Sequence, residues 1–385
     1  MKNFIKILVP ALAMVACTNS ATQTQQTQKT SDENEFYLLL GSYNTPDQET
    51  IQLYSFNQEN GSFAKVSGTK GVANPTFLCT NADETVVYSV GEYDEPEKAN
   101  MNALHFNKEN GTLELFSTKS NNAGAPCNIT LNPDGDYLLC ANYWGGSMTY
   151  YPLAKDGSLQ DPLEIKYEGS GPHPNQTQPH GHAVNFTPDN KYVLVNDLGL
   201  DCIHVYPLNQ RTAYDSIPLF DKEKGYDVKV DAGAGPRHLC WAPSGKYAYV
   251  ISELSGQIFT LSYENEKLDV VSSLVADTIQ GGGSADIHIT KDGKFLYASH
   301  RLKGDGISIF SVNEATGELT RVGYQPTGIH PRNFALTPND KYLLVACRDT
   351  NEVQVFERNP ESGILTNTGT KIEMTKPMFV KFLNK

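Results

Sequence analysis

Three observations predict an all-β fold, a seven-bladed β-propeller closed by pairing of N- and C-terminal strands in one blade. One segment design recurs along the chain. Its strands alternate apolar and polar residues with period two, and no stretch sustains a helical period. The two chain ends carry fragments of the repeat that make a full unit only when joined, which removes open sheet edges.

Six repeats stand in order: NPTFLCTNADETVVYSVGE, APCNITLNPDGDYLLCANY, GHAVNFTPDNKYVLVNDL, PRHLCWAPSGKYAYVISEL, ADIHITKDGKFLYASHRL and PRNFALTPNDKYLLVACRD. Each is an apolar run, a turn rich in Pro, Asp, Asn and Gly, then an alternating strand; those turn residues supply the backbone geometry of a tight reversal. Anchored on the third turn residue (Asp83, Asp134, Asp189, Ser244, Asp292, Asn339), successive repeats lie 51, 55, 55, 48 and 47 residues apart. Third strands follow in MTYYPL, CIHVYPL, QIFTLSY, ISIFSV and VQVFER, and weaker fourth strands in NEATGELTRVGY and NPESGILTNTG. A period of about 50 residues with about four strands is the signature of propeller blades. The N-terminal FYLLLGSYN and IQLYSFN lack a leading run, and the C-terminal KPMFVKFL is a leading run without its hairpin partner. Together they predict the seventh blade.

The 385 residues, with 20 Tyr and 16 Phe, suffice for one large core. A net charge of −13 argues against nucleic acid, whose binding needs clustered Lys and Arg. Residues 1–16 have secretory-signal form: Lys2 and Lys6, then a short apolar run ILVPALAMVA. Met14-Val15-Ala16-Cys17 resembles a bacterial lipobox with Cys17 as the lipidated residue, so residues 17–34 read as a polar tether and residues 35–385 as the propeller. The expected location is the bacterial cell envelope, with the membrane reached only through that anchor; a plain cleaved signal is the alternative. The other six cysteines show no CxxC or finger spacing and read as buried thiols.

First strands of propeller blades line the central channel. Seven residues before each anchor stand Thr76, Cys127, His182, Arg237, Ala285 and Arg332; nine residues after stand Glu92, Tyr143, Leu198, Glu253, Arg301 and Arg348. Both sets flank the same hairpin at its open end, so Arg237 is expected beside Glu253, and Arg332 beside Arg348. His182, Arg237, Glu253, Arg301 and Arg332 would converge at one channel mouth, with His180, His238 and His288 close in sequence as candidate substrate-binding residues. Convergent titratable groups in a concavity are the default site hypothesis; salt bridges stitching blades together are the structural alternative. Arg348, Glu92 and Tyr143 can be read as rim residues only. His180 and His182 share a strand face, yet no third metal ligand is evident and the arginines disfavour a cation. His105, His204 and His330 offer no constellation, and GGGSAD (281–286) lacks the strand–loop–helix context of a phosphate loop and reads as a flexible rim.

The segments GAGPRHLCWAPSGKYAYVISEL, PHGHAVNFTPDNKYVLVNDLGLD, SADIHITKDGKFLYASHR and HPRNFALTPNDKYLLVACRDTNEV resemble the propeller-type lactonase family, which includes bacterial 6-phosphogluconolactonases and fungal 3-carboxy-cis,cis-muconate lactonizing enzymes. The resemblance runs from about residue 36 to the C-terminus. It implies a seven-bladed propeller with no required metal, nucleotide or other cofactor, and an anionic lactone or carboxylate as substrate. In the muconate cyclases a His, Arg, Glu and further Arg act at the channel mouth; His182, Arg237 and Glu253 match the first three, and both Arg301 and Arg332 suit the last. The implied chemistry is lactone hydrolysis or its reverse; a carboxymuconate-type cyclase and a non-catalytic envelope propeller binding a glycan or protein are the alternatives. The exported N-terminus sits poorly with 6-phosphogluconolactone itself, a cytosolic sugar phosphate.

Overall fold

The computed structural model describes residue 1 and residues 33–385. The signal segment, Cys17 and nearly all of the tether lie outside the described residues. From Glu35 onward the chain forms one compact unit of seven four-stranded antiparallel sheets. The six repeats are blades 1 to 6. Their innermost strands are Leu78–Thr80, Pro126–Leu131, Gly181–Phe186, Pro236–Trp241, Ser284–Ile289 and Pro331–Leu336.

Blade 7 is the composite. Its innermost strand is the C-terminal Pro377–Asn384, which pairs with the N-terminal Glu35–Ser42; Ile51–Asn57 and Phe63–Thr69 complete the sheet. The ring therefore closes by hydrogen bonds between chain ends far apart in sequence. Among the described residues the sole helix is a 3-10 turn, Lys222–Lys224.

Three of the hairpin turns are pinned in the same way by a short side chain at the anchor position. Thr187, Thr290 and Thr337 donate their hydroxyls to Asp189, Asp292 and Asn339 at 2.7, 2.6 and 2.9 Å. These local bonds replace the ladder bonds that a reversal loses. The core is not central. It lies in seven apolar clusters between adjacent blades; one joins Leu194, Ile203 and Val205 of blade 3 to Leu239, Val250 and Phe259 of blade 4. Packing sheet faces on one another leaves the ring centre free for polar side chains.

The six described cysteines are unpaired; Cys127, Cys140, Cys202 and Cys347 are buried, and Cys79 and Cys240 partly so.

Candidate functional site at the channel mouth

A β-bulge recurs at one place in the innermost strands. In blade 3 Gly181 pairs with Asp197 and Ala183 with Asn196, so His182 has no partner opposite. Arg237 lies between the Pro236–Ser252 and His238–Ile251 pairs, Arg332 between Pro331–Cys347 and Asn333–Ala346, and Cys127 between Pro126–Asn142 and Asn128–Ala141. Blade 5 shifts register over Ala285 and Asp286. A bulge bends the strand and re-aims the extra side chain. In blades 2, 3, 4 and 6 the residue seven before the anchor is thus the bulge residue. Gly235, at φ +69, turns the chain into the blade 4 strand; Asp201 of blade 3 holds the loop by accepting from the backbone N–H of Gly233 and Gly235 at 2.7 and 2.8 Å.

Glu253 is the hub of the mouth. Its Oε2 accepts from Arg237 Nε at 2.7 Å, lies 3.1 Å from Arg301 Nη2 and stands 3.8 Å from His182 Nε2. Arg237 is fully buried and also donates from Nη1 to the Ala285 carbonyl at 2.7 Å. Arg301 donates from Nε to the Gly283 carbonyl at 2.7 Å and from Nη1 toward His330 Nε2 at 3.3 Å. The Gly-rich segment 281–286 therefore orients two arginines through backbone carbonyls, a task its sequence does not announce. Arg332 does not meet Arg348. It reaches across to Glu92 of blade 1, with Nη2 3.2 Å from each carboxylate oxygen, and Thr76 donates its hydroxyl to the same carboxylate. Arg348 turns outward to Asp349 at 2.7 Å. Two like charges facing across one hairpin are repelled, and each finds a carboxylate elsewhere.

Electrostatics follows from this crowding. Burial alone would raise Glu253, but Arg301 and Arg237 outweigh it and hold the carboxyl below its ordinary range. Burial, then Arg237, His238 and Arg332, push His182 well below the usual imidazole value, so the ring is neutral at neutral pH. Burial and the neighbouring arginines bring Arg301 down to about 9, still protonated at neutrality, while Glu92 raises Arg332 against the effect of its burial. His182 Nδ1 rests 3.7 Å from the Cys127 sulfur, a thiol that burial pushes up to about 12.

The other candidate histidines sit elsewhere. His180 is buried with its ring stacked on Tyr143 at 4.2 Å, and Tyr143 meets His182 edge-on at 5.6 Å. His238 and His288 belong to a second layer built on Asp286. His238 Nδ1 bonds Asp286 Oδ1 at 2.8 Å, His288 Nε2 bonds Oδ2 at 3.0 Å, and Asn333 donates to Oδ2 at 2.5 Å. His238 touches the mouth through Arg237 Nη1 at 3.2 Å and through an edge-on contact with the His182 ring at 5.4 Å. Burial and Arg237 bring His238 down to about 4; His288 is raised, because Asp286 more than offsets its burial. Beyond this layer lies a channel cavity of about 650 Å³, lined among others by Asn128, His238, Asp286, His288, Phe379 and Lys381. None of the five mouth residues lines it, so this cavity and the densest chemistry are on opposite sides of the Asp286 layer.

Two histidines expected to be isolated are not. His330 meets Arg301, as above. His204 donates from Nδ1 to Asp227 at 2.7 Å and faces Asp197 from Nε2 at 3.4 Å, with Cys202 beside it. Cys202, His204 and Asp227 are, among the described residues, the one grouping whose ligand atoms approach closely enough for a metal ion, and the His204 ion pairs already engage its donors. Glu92 and Tyr143, readable as rim residues, are part of the mouth; their signal was the nine-residue count itself.

The profile of the family described as lactonase, 7-bladed β-propeller matches residues 37–382. The chain is 32% identical over 353 residues to a 6-phosphogluconolactonase of Bacillus subtilis, covering 90% of this chain and 98% of the relative. A crystal structure of a provisionally assigned 6-phosphogluconolactonase from Bacteroides fragilis shares 43% identity and a TM-score of 0.87, covering 94% of this chain and all of that one. A periplasmic gluconolactonase from Pseudomonas aeruginosa shares 30% identity and a TM-score of 0.81 over 91% of this chain and 99% of its own.

Proposed function

The chain belongs to the seven-bladed β-propeller lactonases, a 6-phosphogluconolactonase-like hydrolase, and from that premise we propose that it opens a small-molecule lactone at the mouth cluster. The observation that supports this most is Glu253 gathering Arg237, Arg301 and His182 from three consecutive blades at 2.7, 3.1 and 3.8 Å.

In this reading the lactone carbonyl oxygen faces Arg237 and Arg332. His182 Nε2 takes a proton from water as the water oxygen bonds to the carbonyl carbon. The oxyanion so formed is stabilised by guanidinium donors already fixed in place. The carbon–oxygen ring bond then breaks, and the proton returns from His182 to the departing alkoxide, giving the hydroxy acid. Neutral at neutral pH, His182 is a ready acceptor; Glu253, neutralised by two arginines, serves to hold them. Arg301 has each of its nitrogens engaged with Gly283, His330 or Glu253, so it supports the cluster and Arg332 keeps more open donors. No step routes through a metal, and activity is expected to survive exhaustive chelation.

The test is pH-monitored hydrolysis of sugar lactones by purified protein, with His182→Asn and Arg237→Met as comparisons. Full turnover in both folded variants would sink the site. Export and lipidation at Cys17 extend the proposal, export being supported by the similarity to a periplasmic Pseudomonas protein; mass spectrometry of the mature N-terminus from cells checks them, and an unprocessed Met1 would refute them.

A further inference from the structure

Beyond the Asp286 layer the innermost strands place one more ring of side chains in the channel, because residues two apart share a strand face. The ring lies four residues before each anchor and includes Asn185 of blade 3 and His288 of blade 5. Blade 7 has no anchor, but its level is fixed: the Val380 N–H donates to Asn333 as the Val184 N–H donates to Asn128. Lys381 therefore stands level with Asn185 and His288. The other positions hold Cys79, Thr130, Cys240 and Ala335, so the ring carries two basic side chains and no carboxylate. Asn185, His288 and Lys381 all line the cavity of about 650 Å³. Thr337 and Pro338 of a hairpin turn line it too, which puts it at the turn end of the channel, away from the mouth.

Three donors in this cavity are unused. Lys381 Nζ has no hydrogen-bond or ion-pair partner among the described residues. His288 bonds Asp286 through Nε2, which leaves Nδ1 without a partner; Asp286 raises this imidazole and so favours the form in which Nδ1 also carries a hydrogen. Asn185 Nδ2 is buried and unpaired. The two carboxylates in the cavity wall are already engaged, Asp286 by His238, His288 and Asn333, and Asp340 by the Lys291 backbone N–H. Phe77 and Phe379, with ring centroids 4.6 Å apart, supply an apolar wall, and Phe379 lies two residues before Lys381 on the same strand. A partly buried ammonium without a counter-ion and a buried amide N–H without an acceptor are both costly, and one acceptor-rich anion satisfies them together.

We propose that the turn-end cavity is a second binding site, for a small organic anion whose carboxylate or phosphate is held by Lys381, His288 and Asn185 and whose apolar body lies on Phe77 and Phe379. The site is independent of the lactonase reading, since none of the mouth residues lines it.

Calorimetric titration of the purified protein with 4-bromobenzoate tests this. Binding should persist in Arg237→Met, which weakens any anion site at the mouth. It should fall about tenfold or more in Lys381→Met, the worth of one charge-assisted hydrogen bond. It should be lost with 4-bromobenzyl alcohol, which keeps the apolar body without the charge. No binding of the acid, equal binding of the alcohol, loss of binding in Arg237→Met, or an unmoved affinity in folded Lys381→Met would each overturn the proposal. Titration with 4-bromophenyl phosphate separates the two sources of the anion: the tighter of the two acids assigns the site to a carboxylate or to a phosphate ester. Should Lys381→Met not fold, the bromine anomalous signal from wild-type crystals soaked in 4-bromobenzoate decides. A peak against Phe77 and Phe379 supports the site; a peak only at the mouth, or none, overturns it.

Discussion

His182 and His204 are both buried, lie on the first and third strands of the same blade, and end in opposite charge states. His182 faces arginines. Burial and those charges remove its proton. His204 lies between two carboxylates, with Tyr167 stacked on its ring at 3.9 Å. Burial alone would deprotonate it too, but the bonds to Asp197 and Asp227 push it up to about 12. Residue type and depth are shared, so the partners decide: one histidine is left free to accept a proton, the other is locked as a structural cation.

The strongest way to break this contrast is at the mouth. Arg237→Met should lower kcat/KM by about 10² to 10³, the usual cost of losing a fixed oxyanion donor, while circular dichroism stays that of a folded propeller. Next comes His204→Ala. It removes one partner of a buried network and should cost about 3 kcal/mol, read as a lower thermal midpoint, with kcat unchanged. A large loss of kcat in that variant would erase the division between the two regions.

pH sharpens the same contrast. His204 is raised when folded, so its stabilisation is complete below about pH 6.5, the unfolded imidazole value, and is lost as pH climbs from there toward about 12. His182 is lowered when folded, so below about pH 6.5 the unfolded chain takes up a proton that the folded one refuses, and stability falls. The thermal midpoint measured from acid to alkaline pH should therefore lose its alkaline slope in His204→Asn and part of its acid slope in His182→Asn. Activity should persist well below pH 6.5, because His182 stays a base there. The smallest effect belongs to the rim: Arg348→Ala breaks a half-exposed pair with Asp349 and should cost less than about 1 kcal/mol, leaving kcat/KM near wild type.

Much of this was legible from one repeat. Counting from the hairpin turn placed Arg237 against Glu253, because cross-strand neighbours in an antiparallel hairpin are fixed by turn length. The same count failed for Arg332, whose partner Glu92 is 240 residues away in sequence. Nothing in a local pattern reports which blade comes next around a closed ring. The bulges were hidden for a related reason: alternation with period two tells inside from outside, but an inserted residue shows only in the pairing register. Asp286 organising His238 and His288 rests on a contact between blades that no single repeat shows, and the carbonyls of Gly283 and Ala285 orienting two arginines are backbone groups that every sequence possesses.

The sequence by itself determined the blade count, the composite seventh blade and the hairpin partners, since repeat spacing and strand alternation are local consequences of burying one sheet face on the next. Only the tertiary structure decided which arginine shares Glu253, which side of the Asp286 layer holds the cavity, and which histidines carry a proton. Those depend on distances between blades and on burial, and both come into existence only when the ring closes.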